Sequence, residues 1–113
     1  MTGFLLVACA ATGPQPDELA VRDAFYGALN SSEIALARRA VQEALETRHS
    51  NEIHRWNSEG GGHGSVKPTR TFRIKTGHYC RNYTETLAKD SERTSINRTA
   101  CRSSEGTWQV TRR

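Results

Sequence analysis

Two cysteines placed symmetrically about a turn constrain this chain more than any other feature. The stretch from Tyr79 to Arg102 opens Tyr79-Cys80-Arg81, closes Ala100-Cys101-Arg102, and has Asp90-Ser91 at its midpoint. Between the cysteines most residues are β-branched or hydroxylated, which suits strands, and Asp-Ser suits a tight turn, so the segment predicts a β-hairpin. Cys80 stands ten residues before Asp90 and Cys101 ten residues after Ser91, so a two-residue loop brings them face to face. Counted outward from Lys89 and Glu92, they fall in a non-hydrogen-bonded pair, where Cα atoms approach to roughly 4.5 Å, close enough for a disulfide. A Cys80–Cys101 bridge implies an oxidising compartment. The same register assigns faces. Tyr79, Tyr83 and Leu87 share one with Ile96 and Ala100, which predicts contact with a helix. The other pairs Asn82 with Thr99 and Thr84 with Asn97 and carries the bridge.

At 113 residues the chain makes one small domain, near the lower end of what a core alone sustains. A covalent staple matters at this size, and closing a loop of about 20 residues contributes about 3 kcal/mol in the chain-entropy view. The formal charge of +4 is uneven. Residues 66–113 hold eleven Lys/Arg against four Asp/Glu, while residues 1–50 hold four against six. A basic strand-rich half fits a polyanion or simply a solvated face. Nucleic acid is not expected as a partner, because the bridge would be reduced in the cytosol.

The helix signals lie upstream. Asn30-Ser31-Ser32-Glu33 has the form of a capping box, and Ile34, Ala37, Val41, Ala44 and Leu45 recur on one face, predicting a helix over 32–47. A shorter helix is expected to follow Pro16 and end near Gly27. Strands are expected over 52–57 and 65–74, the second with Val66, Phe72 and Ile74 on one face and with Pro68 marking an edge or a bulge, and over 106–110. Residues 58–64 hold four glycines and predict a flexible loop. Because a strand follows it, this loop lacks the helix N-terminus that a phosphate cradle needs.

Phe4 to Ala8 is too short an apolar run to span a membrane. Leu6-Val7-Ala8-Cys9 resembles the lipobox of bacterial lipoproteins, in which the cysteine thiol is lipidated and becomes the first mature residue. Residues 1–9 are therefore read as a signal remnant, 10–30 as a Pro- and Gly-containing tether with a short helix, and 31–113 as the folded domain.

Further residues carry a wider resemblance. Trp56-Asn57, Gly64-x-Val66-x-Pro68-Thr69-Arg70-Thr71-Phe72, Tyr79-Cys80-Arg81-x-Tyr83, Thr99-Ala100-Cys101-Arg102 and Gly106-x-Trp108 resemble the C-terminal domain of bacterial surface-antigen lipoproteins of the rickettsial 17-kilodalton type. The resemblance implies an outer-membrane lipoprotein with no catalytic activity to inherit. This chain departs from it by having no Gly-x-x-x-Gly segment in residues 10–30 and by using Asp90-Ser91 where the family turn is often Gly-Gly.

No residues stand at catalytic or metal-ligand spacing, and no cofactor is expected. The four histidines, His49, His54, His63 and His78, form no local ligand motif and are expected to be exposed and unpaired. Trp56, Arg70, Arg81, Arg102 and Trp108 are the candidates for a binding surface, since aromatic and guanidinium groups can stack on and fork around a carboxylate-bearing glycan or a protein partner. The expected fold is α+β: one main helix on a four- to five-stranded antiparallel meander stapled by one disulfide. The expected role is a non-enzymatic envelope lipoprotein held to the outer membrane through Cys9. The alternative is a periplasmic inhibitor or accessory subunit that presents the basic sheet to an acidic protein.

Overall fold

The computed structural model describes residues 24–111. The expectations for Cys9 and for residues 10–23 lie outside the described residues. The described part of the expected first helix is a single 3-10 turn, Ala24–Tyr26.

Among the described residues one α-helix, α1 (Ser31–Thr47), packs on one face of a five-stranded antiparallel sheet. The strands are β1 (His54–Asn57), β2 (His63–Arg73), β3 (Tyr79–Lys89), β4 (Glu92–Arg102) and β5 (Trp108–Val110), in sequence order across the sheet. The helix starts where its cap dictates. The Glu33 N–H donates to Asn30 Oδ1 (2.8 Å) and the Asn30 N–H donates back to Glu33 Oε1 (3.1 Å), which satisfies two donors that a helix end leaves over. Its buried stripe of Ile34, Ala37, Ala40, Val41, Ala44 and Leu45 meets Trp56, Val66, Tyr83, Leu87, Ala100 and Trp108 from the sheet. Three alanines in that stripe let the helix backbone come close to the strands. Tyr26 and Leu29 extend the same core ahead of the helix.

The central hairpin pairs as its register requires, from Lys89↔Glu92 out to Cys80↔Cys101. The two cysteine Cα atoms stand 3.9 Å apart and the disulfide is formed. The turn works without glycine because only Asp90 takes a positive φ, of 57°, and aspartate tolerates that region better than most residues. Ser91 is spared it.

Pro68 marks a bulge, as one of the two expected alternatives: the β2–β3 register shifts between Pro68 and Arg70, beyond the last β1–β2 pair at Val66. Three expectations are corrected. The extra residue flips the phase of β2, so Val66 is buried under the helix while Phe72 pairs with Cys80 on the opposite face. Tyr79 shares the helix-facing side of β3 but is 49% exposed and lies outside the core. The glycine loop, finally, is clamped rather than loose. The Gly62 N–H donates to the buried Glu33 carboxylate (2.9 Å), and a Cβ at Gly60 or Gly62 would fall 2.8 Å from Glu33 Oε2. Lys89 Nζ holds the same carboxylate at 2.7 Å, so it has no room to yield.

Candidate functional site

The sheet presents its two faces differently. On the helix side, strand alternation points Arg81, Tyr83, Glu85 and Leu87 inward, and all four are buried. The Tyr26 hydroxyl donates to Glu85 Oε2 (2.8 Å), and burial together with the Glu85 charge pushes the phenol well above its ordinary range. The Glu33 carboxyl is held down to about 2, chiefly by the Lys89 ammonium and further by the Asn30 and Gly62 amides.

On the other side no helix of the described residues covers the strands. Cross-strand neighbours there form a ladder of hydroxyls and amides: Thr84 donates to Asn97 (2.8 Å), Thr99 donates to Asn82 (2.7 Å), and Thr86 and Ser95 share a hydrogen bond of 2.8 Å. Around this ladder stand Arg55, Lys67, Arg70 and Arg93, placed on this face by their pairing with Ser65, Thr84, Asn82 and Ala88. Among the described residues no strand position of this face carries a carboxylate, and none of the four cations has an acidic partner. The Arg70 guanidinium lies 5.1 Å from the centroid of Phe72 on the same face.

The five candidate residues thus divide. Arg70 belongs to the open face. Trp56 and Trp108 are core residues at 8% and 6% exposure, so neither ring is free to stack on a ligand. Trp56 packs over Gly64, where a Cβ would stand 2.8 Å from the indole nitrogen. Trp108, Arg81 and Arg102 come together at the C-terminal end of α1, around an open cleft of about 230 Å³ that is also lined by Leu45, Glu46, Thr71 and Tyr79. Here Gln42 pairs with the Trp108 main chain in both directions, at 2.7 and 2.9 Å, and ties the edge strand β5 to the helix. Glu46 takes a bidentate fork from Arg102 (3.0 and 3.1 Å) and the Trp108 indole N–H (2.8 Å). Those contacts, that with Arg102 first, hold the Glu46 carboxyl below its usual range. Arg81 turns inward, and its Nη1 donates to the Leu45 and Arg48 carbonyls (2.7 and 2.8 Å), capping the helix. Burial lowers its pKa.

The histidines do not group. His54 is paired, contrary to expectation, with Nε2 3.2 Å from Glu43 and Nδ1 3.3 Å from Arg48. Among the described residues no three His, Cys, Asp or Glu side chains gather as a metal site would require. No helix of the described residues is long and apolar enough to cross a membrane.

Glu33, Glu85 and Tyr26 are the polar core members that sequence reasoning missed. Parity along β3 carried the signal for Glu85, since it shares the phase of Tyr83 and Leu87.

Comparison with known proteins agrees with the residue pattern. Residues 43–109 match the family described as 17 kDa outer membrane surface antigen. The chain is 41% identical over 76 residues to the 17 kDa surface antigens of Rickettsia felis and Rickettsia rickettsii, covering 66% of this chain and 48% of each relative. It is 40% identical over 70 residues to that of Rickettsia prowazekii, covering 61% of this chain and 44% of the relative. The chain therefore spans about half the length of these relatives. No solved structure matches it. On the strength of that match the chain belongs to the 17 kDa outer membrane surface antigen family.

Proposed function

We propose that this domain is a non-enzymatic binding module of the outer membrane surface, tethered through a lipid on Cys9, whose open sheet face holds an anionic glycan of the envelope. The observation that carries this reading is the face with four cations and no carboxylate. Its charge calls for a polyanion, and its hydroxyl and amide ladder suits the hydroxyls of a sugar chain. The family match, to proteins named as surface antigens and not as enzymes, supports the location and the absence of catalysis.

The test uses polygalacturonate as the carboxylated probe and dextran of equal length as the neutral one. Binding is expected to polygalacturonate alone, to weaken as salt is added, and to fall about tenfold or more when Arg55, Lys67, Arg70 and Arg93 are all replaced by Ser. Equal binding to dextran, or an unchanged affinity in the quadruple variant, would sink the reading. The anchor is tested by intact mass of the chain expressed from its native upstream sequence. A mature chain that begins at a diacylated Cys9 is expected, and an unmodified Cys9 thiol rules the tether out.

A further inference from the structure

The cleft at the C-terminal end of α1 lies on the opposite side of the sheet from the ladder. Its central feature is a cation without a counter-ion. Arg81 is 7% exposed, and it has no carboxylate partner. Only Nη1 is used, by the Leu45 and Arg48 carbonyls; Nε is buried with no hydrogen bond, and Nη2 makes none either.

Buried charges are ordinarily paired, because removal from water is costly and a partner must offset that cost. The two carbonyls belong to the negative end of the helix, which is equivalent to roughly half an elementary charge. That falls short of neutralising a guanidinium. The neighbouring carboxylate cannot make up the rest, since Glu46 is already held by the Arg102 fork and the Trp108 indole. With Arg102 cancelling Glu46, the cleft is left one positive charge in excess, and that charge is Arg81.

We propose that this cleft is a carboxylate-binding site in which Arg81 receives the anion and the Tyr79 ring supports the rest of the ligand. Tyr79 borders the cleft, is half exposed, and has the Arg73 guanidinium 5.0 Å from its ring centroid, an arrangement that fixes the ring and adds positive potential. Thr71 also borders the cleft. A volume of about 230 Å³ suits one carboxylate with a short residue attached, such as the end of a peptide or a single acidic sugar.

The site is independent of the open face, and the experiment keeps the two apart. The Arg81 Nε–H and Trp108 indole N–H resonances of the intact chain are followed by NMR during two paired titrations. One uses N-acetyl-glycyl-alanine against its C-terminal amide, the other glucuronic acid against its methyl ester. Shifts are expected at roughly millimolar concentration with an acid form and not with its uncharged control. A response to the peptide acid alone identifies a chain terminus as the source of the carboxylate; a response to the uronic acid alone identifies a glycan. Tyr79→Ser is expected to weaken the response about two- to fivefold, and the quadruple open-face variant to leave it unchanged. The proposal is overturned by silence in both titrations, by equal shifts from the uncharged controls, or by unchanged affinity in Tyr79→Ser.

Discussion

The two faces of the sheet are written by the same residues of β3 and β4, one position out of phase. Moving from Tyr83 to Thr84, or from Glu85 to Thr86, crosses from a side chain sealed under a helix to one in a ladder open to water. The covered face packs apolar groups and, unusually, also takes in Glu33, Arg81 and Glu85, each facing a chosen partner or helix end. The open face has the composition of a solvated surface but not its charge pattern, because cations stand there without the acids that normally intersperse them. The packed core is concentrated on the covered side of the sheet, and four of the cations without acidic partners stand on the other.

Leu45→Ala should produce the largest effect if this division holds. Leu45 is 2% exposed in the core, and truncation should cost about 2–5 kcal/mol in chemical denaturation. A loss below about 1 kcal/mol would mean that the helix contributes little to the covered face. Replacing Cys80 and Cys101 together by Ala removes the one covalent link on the open side. It should cost about 3 kcal/mol, and an unchanged melting midpoint under non-reducing conditions would show that the covered face alone holds the hairpin.

Acid titration probes the charged part of the covered face. Glu33 ionises at about 2 when folded and near 4.5 when unfolded, so the unfolded chain binds the proton first as pH drops. The stabilisation is full above pH 4.5 and is lost progressively as pH falls toward 2. In Glu33→Gln that part of the acid dependence should vanish, and a variant with the same acid slope would exclude Glu33 as its source. The smallest effect belongs to the ladder. A double-mutant cycle on Thr84→Ala and Asn97→Ala should give a coupling of about 0.2–1 kcal/mol. A coupling above about 2 kcal/mol would make the ladder a structural element and erase the contrast between the faces.

Much of the frame was legible. The capping box placed the helix start to within one residue, and the equidistance of Cys80 and Cys101 from Asp90-Ser91 gave the whole β3–β4 register. Both are local rules, in which hydrogen bonds between near neighbours or a fixed alternation decide the outcome. The errors arose where one residue shifted the phase or where distant segments met. Phe72 lies on the face opposite Val66, not with it, because sequence does not show where a bulge absorbs its extra residue. The clamp on the glycine loop is invisible in the sequence because Glu33 lies 29 residues from Gly62.

The binding candidates divide in the same way. Residue type marked Arg70, Arg81, Arg102 and both tryptophans, but type cannot say which side of a sheet a helix will cover. The sequence alone determined the disulfide, the meander order and the surplus of positive charge, since these follow from spacing, alternation and counting. Only the tertiary structure decided that the tryptophans are core, that Glu46 neutralises Arg102, and that Arg81 is left without a counter-ion beside a cleft. Those outcomes depend on which groups share a low-dielectric space, and that is set by the docking of α1 on the sheet, not by order along the chain.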